Sequence, residues 1–210
     1  RVAVENGMAN PKWFRPDVDP HDIRNLMQKS DAIAIRDTAI WLGMMIVSAG
    51  CAVAFWPSVW SVPFWLVYGV LYGSAADSRW HECGHKTAFK TTWMNNAVYQ
   101  LASFMIMRNP AIWQASHVRH HTDTIIVGRD PEIVAMRPPD LARIALAFVG
   151  VVDVYIAFKR MILHASGRID PEEATYVAAK DHAKVFRVAR IWLFIYGCTI
   201  AAAVLMTSLL

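Results

Sequence analysis

The chain has 210 residues, of which 55% are hydrophobic and nine are Trp, and its formal net charge is +4. Together with a positive mean hydropathy, this composition favours a membrane protein over one or two soluble domains. No basic run is interleaved with aromatic residues, so the positive charge gives no indication of nucleic-acid binding. Of the three cysteines, Cys51 and Cys198 lie in apolar runs, which leaves no disulfide framework.

Residues 1–38 form a mixed, polar segment that we expect to be cytoplasmic. Three prolines, at positions 11, 16 and 20, interrupt any long helix, and residues 22–37 have the apolar pattern of an amphipathic helix at a membrane surface. The chain begins with Arg1 and has no signal peptide at that end, and it stops inside an apolar run. We therefore expect it to be part of a longer protein.

The next segments are typical of a transmembrane helical hairpin. Residues 39–56 carry no charge, and eighteen helical residues span about 27 Å, enough to cross a bilayer. Residues 57–61 predict a tight turn, and a second apolar run, residues 62–80, leads directly into His81. Residues 189–210 predict a further span, because they carry no charge after Arg190.

Two other apolar segments are predicted to lie on the membrane rather than to cross it. Residues 97–107 are too few to span a bilayer. Residues 141–163 contain Arg143, Asp153 and Lys159, which favour an interfacial helix over a true span. The prediction is therefore an all-α integral membrane fold in which residues 39–210 form a single domain.

The basic residues predict the orientation of this domain. Residues 1–38 contain six Lys or Arg, residues 57–61 none, and residues 78–140 seven. By the positive-inside rule, the N-terminus and residues 78–140 face the cytoplasm. If residues 141–163 crossed the membrane, the seven Lys or Arg of residues 159–190 would lie outside, against the same rule.

Five of the eight histidines fall into two compact clusters in residues 81–121. They are His81 and His85 in the first cluster and His117, His120 and His121 in the second. Residues four apart on a helix share one face, so each cluster can present several imidazoles to a metal. Nitrogen ligands favour a first-row transition metal, such as iron, over calcium or magnesium. Cys83 points away from the histidine face and is interpreted as a packing residue.

These residues carry a resemblance to a known family. His81-Glu82-Cys83-Gly84-His85 after a membrane hairpin, His-x-x-His-His beginning 36 residues later, and the segment Gly128-Arg129-Asp130-Pro131-Glu132 together resemble the membrane fatty-acid desaturases. The resemblance covers residues 40–135 well and the remainder in outline. It implies a non-haem di-iron centre of two iron ions, ligated by the five clustered histidines, with dioxygen as co-substrate.

The resemblance further implies removal of hydrogens from a lipid acyl chain, with electrons supplied by a separate ferredoxin-like or cytochrome-like donor. A third histidine box of this family is absent here, and His164 and His182 match none. We therefore expect this fragment alone to be inactive. Breaking an unactivated C–H bond is beyond any side chain, which independently favours an oxidant derived from a metal and dioxygen.

Four acidic residues near the clusters are candidate hydrogen-bond partners for the imidazole N–H groups, which need an acceptor to orient them. They are Glu82, Asp123, Asp130 and Glu132. An ordinary solvated loop acid is the alternative interpretation of each.

Three alternatives remain open. A di-iron hydroxylase or ketolase acting on alkanes, lipids or carotenoids would use the same ligands. His81-Glu82-x-x-His85 also fits the zinc metalloprotease pattern, with Glu82 as general base, but a catalytic zinc takes three protein ligands and leaves at least two histidines of the second cluster unexplained. A non-catalytic metal-binding membrane protein is the third.

Overall fold

A computed structural model describes Glu5 and residues 17–133 and 138–207 of the chain. Parts of the predicted N-terminal segment and the last three residues of the final predicted span lie outside these residues. Within them the secondary structure is helical and contains no strand. The predicted all-α class is confirmed.

The helices are numbered here in chain order. They are α1 (Pro20–Leu26), α2 (Asp31–Ala54), α3 (Ser61–Val70), α4 (Ala76–Gly84), α5 (Thr92–Met105), α6 (Pro110–Asp123), α7 (Leu141–Val149), α8 (Val151–Ala165) and α9 (His182–Thr207). A π-helical turn, Leu71–Ala75, joins α3 to α4, and two short 3₁₀ turns, Glu173–Thr175 and Ala179–Asp181, precede α9.

Two stretches of these described residues are long and apolar enough to cross a membrane: Pro20–Ala54, which contains α1 and α2, and Ala179–Met206, which contains most of α9. A third is available if the pair Leu141–Ala147 and Val151–Ala165, bent by 77°, is one broken span. The chain is therefore an all-α membrane protein. The span predicted for residues 62–80 falls on α3, the π-helical turn and part of α4, and it stays a prediction, as does the interfacial position of residues 141–163.

The hairpin is held together at the π-helical turn. Trp41 of α2 is only 4% exposed. Its indole N–H donates to the Leu71 carbonyl at 2.9 Å. A π-helical turn interrupts the regular i→i−4 ladder, and such turns are frequent near functional sites. This contact fixes the point from which α4 leaves the apolar arm and carries the first histidine cluster.

Helix α5 connects the two histidine-bearing helices. At its start, the Asp31 carboxylate of α2 accepts hydrogen bonds from the Thr91 backbone N–H at 2.9 Å and the Thr91 hydroxyl at 2.6 Å. Nearer its end, the buried Tyr99 hydroxyl donates to the Pro110 carbonyl at 2.7 Å. The beginning of α6 is thereby fixed relative to α5.

Helix α9 packs against α8 and also supports α6. Met161, Ala189 and Trp192 form a buried cluster between α8 and α9. The Asn109 side chain, at the start of α6, donates to the Val185 carbonyl of α9 at 3.1 Å. His164, isolated in the sequence, forms a buried pair with Glu173 at 2.6 Å. The second histidine cluster therefore lies on a helix that is held from two sides.

Candidate metal centre

The apolar side chains of helix α4 lie on one face and are buried, and the first histidine cluster lies on another face. Ala76, Trp80 and Cys83 recur at helical spacing and are buried. His81 and His85 lie on the neighbouring face, with their ring centroids 4.7 Å apart. The proximity of imidazoles four residues apart, expected from helix geometry, is thus present, with the two rings edge to face.

Helix α6 presents two histidines of the second cluster, His117 and His121, towards α4. Its start is well defined, since the Asn109 side chain accepts from the Ala111 N–H at 3.1 Å and Pro110 occupies the first turn. His117 and His121, four residues apart, both face His85. The His117 Nε2 lies 2.8 Å from the His85 Nε2, and the His121 Nε2 lies 3.3 Å from it and 3.0 Å from that of His117.

These three Nε2 atoms form a triangle that hydrogen bonds alone cannot satisfy. In a neutral imidazole each Nε2 is either a donor or an acceptor. Among three such atoms, at least two must both be donors or both be acceptors. At least one pair of Nε2 atoms therefore has two N–H groups or two lone pairs facing each other. A cation between the nitrogens removes this conflict, because all three lone pairs can then point at it.

The donor set also fits a metal by distance and by chemistry. One ligand atom from each of His81, His85 and His117 lies within 4.8 Å of the others. Nitrogens about 2.0–2.1 Å from one tetrahedral metal would lie roughly 3.3–3.4 Å from each other. The Nε2 atoms of His85, His117 and His121 are 2.8–3.3 Å apart, slightly closer than this. Imidazole nitrogens suit first-row transition metals such as iron, zinc or copper.

Two carboxylates orient the second cluster. The Glu132 carboxylate lies 2.9 Å from the His117 Nδ1. The Asp130 carboxylate lies 2.9 and 3.0 Å from the His120 Nδ1. A carboxylate can only accept, so each Nδ1 carries the proton and each Nε2 has a free lone pair.

Burial favours the neutral form of two imidazoles, those of His85 and His117. Burial lowers the pKa of His85 below its ordinary value, and the neighbouring imidazoles of His117, His81 and His121 lower it further. Burial also lowers the pKa of His117, although hydrogen bonding to Glu132 opposes this effect. Neutral imidazole is the form that binds metals.

Asp130 is held as a carboxylate by its own surroundings. Burial acts to raise its pKa, but the backbone N–H groups of Glu132 and Ile125 and the His120 ring hydrogen-bond to it, and the net pKa is lowered. Both N–H groups lie 2.9 Å from a carboxylate oxygen. Asp130 is thus preorganised to accept a hydrogen bond from the His120 Nδ1–H.

The other two acidic candidates from the sequence, Glu82 and Asp123, pair with arginines instead of histidines. Glu82 contacts Arg79 at 3.3 Å. Asp123 is buried and pairs with Arg129 at 2.8 Å. Neither carboxylate is within hydrogen-bond distance of an imidazole among the described residues. Cys83 is 1% exposed, and burial, followed by the charge of Glu82, raises the pKa of its thiol to about 11, as suits a packing residue.

Sequence reasoning missed Trp113. Its ring stacks on the His117 ring with centroids 4.2 Å apart and lies 3.8 Å from the Trp80 ring. It also covers Gly84, where an added Cβ would come within 2.3 Å of the Trp113 ring. Trp113 precedes His117 by four residues, and that spacing places the two on one face.

A cavity of about 580 Å³ adjoins the centre behind Trp113 and Ser116. Its lining is mixed. Apolar side chains such as Ile112, Met161 and Trp192 are accompanied by charged ones such as Arg108 and Glu173. This volume is within the range of about 300–1,000 Å³ found for small-molecule sites. One aromatic ring separates the cavity from His117.

The fold and this site define an all-α membrane protein with a histidine-rich site suited to a transition metal. The fatty acid desaturase family model matches residues 55–210, and the chain belongs to that family.

Several plant desaturases are similar over part of the chain. An omega-6 fatty acid desaturase of the endoplasmic reticulum (isozyme 1) from Glycine max is 32% identical over 85 residues, which are 39% of this chain and 22% of that protein. A bifunctional fatty acid conjugase/Delta(12)-oleate desaturase from Punica granatum is 30% identical over 126 residues, 58% of this chain and 31% of the relative. This chain thus spans less than a third of the length of these two relatives. No solved structure matches it.

Proposed function

We propose that this chain carries part of the catalytic centre of a membrane-bound, oxygen-dependent desaturase that introduces a double bond into a fatty acyl chain. The observation that carries the proposal is the triangle of Nε2 atoms of His85, His117 and His121, whose separations of 2.8–3.3 Å conflict unless a cation lies among them. Membership of the desaturase family supports an acyl chain as the substrate class.

The residues that would hold the metal are His81, His85, His117, His120 and His121, in a centre of two iron ions. The bound iron, together with dioxygen and two electrons, supplies the oxidising power to break a C–H bond. Glu132 and Asp130 keep the protons of His117 and His120 on Nδ1, which leaves Nε2 free for the metal. Asp123 and Glu82 lie in ion pairs, and their role is to hold the loop and helix around the centre.

The cavity beside Trp113 is the candidate site for the acyl chain. The apolar part of its lining suits hydrocarbon, and the Trp113 ring separates it from His117. A chain bound there would be held beside the centre, and such positioning is a large part of catalysis. The acyl chain would enter from the surrounding lipid.

We further propose that both histidine clusters face the cytoplasm. The basic residues of segments 1–38 and 78–140 support this orientation. A separate ferredoxin-like or cytochrome-like donor would then deliver electrons from the cytoplasmic side.

The test uses the protein in its natural full length. Substituting any of the five clustered histidines by alanine should abolish conversion of a saturated or mono-unsaturated acyl lipid to a product with one more double bond, and should reduce bound iron. His21→Ala, in α1, is the matched control and should change neither, because His21 is exposed and its Nδ1 contacts Asn25 of the same helix.

Three results would contradict the proposal. Stoichiometric zinc in active protein, with activity that survives without dioxygen, would indicate hydrolysis. A hydroxylated product in place of an alkene would favour the di-iron hydroxylase. Unchanged iron content in the histidine variants would remove the metal centre altogether.

A further inference from the structure

Ser116 precedes His117 directly and reaches the same carboxylate. It is 7% exposed and lies on the face of α6 that packs towards the rest of the centre. Its hydroxyl lies 2.9 Å from the Glu132 Oε1, while the other carboxylate oxygen, Oε2, lies 2.9 Å from the His117 Nδ1. The Glu132 carboxylate is therefore held at both oxygens.

The hydroxyl has one proton and two possible acceptors. The Trp113 carbonyl lies 3.1 Å from the Ser116 Oγ, farther than the Glu132 carboxylate. A charged acceptor forms the stronger hydrogen bond, so donation to Glu132 is preferred. Without this bond, the carboxylate could rotate, because its side chain is 24% exposed and water could compete for the freed oxygen.

We propose that Ser116 is a positioning residue for His117: its hydroxyl fixes the Glu132 carboxylate, which in turn fixes the proton on the His117 Nδ1 and the direction of its Nε2. The inference rests on the metal centre proposed above. It assigns a role to a residue that has no metal-binding group of its own.

Ser116 also lines the cavity beside the centre. An apolar occupant offers Ser116 no competing acceptor, so the bond to Glu132 stays intact. Water in the cavity, in contrast, can accept a hydrogen bond from the Ser116 hydroxyl and so compete with Glu132. A bound acyl chain would thus stabilise the orientation of His117 as well as being held near it.

The experiment is a metal titration of the purified full-length protein, with cobalt(II) as a spectroscopic probe and iron(II) as the physiological candidate. Ser116→Val and Ser116→Thr form a pair of nearly equal shape that differs in the hydroxyl. Losses from residues that orient a metal ligand are typically about 10–100-fold. We expect Ser116→Val to weaken metal binding by about tenfold and to alter the cobalt spectrum, and Ser116→Thr to retain most of the affinity.

Two controls separate this role from a general packing effect. Ser48→Ala removes another buried hydroxyl, which donates to the Met44 carbonyl of its own helix at 2.7 Å, and should leave the affinity unchanged. Combining Ser116→Val with Glu132→Ala should cost no more than Glu132→Ala alone, because Ser116 acts through Glu132.

Additive losses in that double variant, or equal affinities of the valine and threonine variants, would overturn the inference while leaving the metal centre in place. Failure of the unmodified protein to bind either metal would overturn the proposed centre and this inference with it.

Discussion

Replacing Gly84 by alanine should disturb the metal centre through Trp113. Gly84 is the last residue of α4 and lies beside His85. An added Cβ would lie 2.3 Å from one Trp113 ring carbon and 2.8 Å from another, where ordinary contact begins at 3.4 Å. The ring must therefore shift by about 1.1 Å, the difference between 3.4 and 2.3 Å. It is 7% exposed and packs on Trp80 and His117, so any shift moves a proposed ligand.

The expected cost follows from two opposing effects. Overpacking a well-packed site costs about 1–3 kcal/mol. Alanine is favoured over glycine inside a helix by about 1 kcal/mol, but less at a helix end. The net destabilisation is then about 0–3 kcal/mol, while displacement of His117 should reduce metal affinity by about tenfold or more.

The assay compares two glycine variants. Gly69→Ala is the matched control, because Gly69 also lies in a helix and an added Cβ there would meet nothing within 4 Å. Bound iron and the midpoint of thermal unfolding in detergent are measured for both variants of the full-length protein. We expect Gly69→Ala to keep its iron and Gly84→Ala to lose most of it. Equal iron content and equal midpoints in the two variants would refute the close packing of Gly84 against Trp113.

Three further predictions concern the ligands and the topology. Burial lowers the pKa of His85 and His117, so protons should displace the metal only at a lower pH than from a site of ordinary histidines. Loss of half of the metal at or above the pH at which an ordinary histidine titrates, measured by metal retention after dialysis, contradicts the prediction. Asp130→Asn should weaken metal binding by about 10–100-fold, whereas Asp123→Asn should leave the affinity within a few-fold, since Asp123 pairs with Arg129. Reporters fused after residue 136 and after residue 170 should both be cytoplasmic; a reporter at 170 on the opposite side would make residues 141–163 a true span.

Composition and periodicity predicted the helical class and the grouping of the histidines, because both depend on local sequence. Eighteen uncharged residues indicate a membrane helix without knowledge of any neighbour. Likewise, His81 and His85 share a face in any α-helix, as do His117 and His121. The approach of the two helices to each other depends on Gly84 and Trp113, which lie far apart in the sequence and were not identified from it.

The sequence could not predict which acidic residues hydrogen-bond to the histidines, because these contacts depend on the shape of the turn after α6. Ile125 and Gly128 adopt left-handed conformations, with φ of 66° and 80°. These two residues turn the chain back on itself, so Asp130 accepts from the Ile125 N–H and reaches His120. Asp123, nearer to the histidines in sequence, is directed towards Arg129 instead.

The partners of the carboxylates favour the proposed oxidation over hydrolysis. A zinc protease needs a carboxylate that is free to take a proton from water beside the metal. In the described part of the chain, Glu132 and Asp130 both already accept hydrogen bonds from imidazole N–H groups, and Glu82 is paired with Arg79. Carboxylates that only orient ligands suit a centre in which the metal itself carries the chemistry. Glu82→Gln should therefore preserve measurable oxygen-dependent conversion of an acyl substrate, whereas complete loss with full metal occupancy would favour hydrolysis.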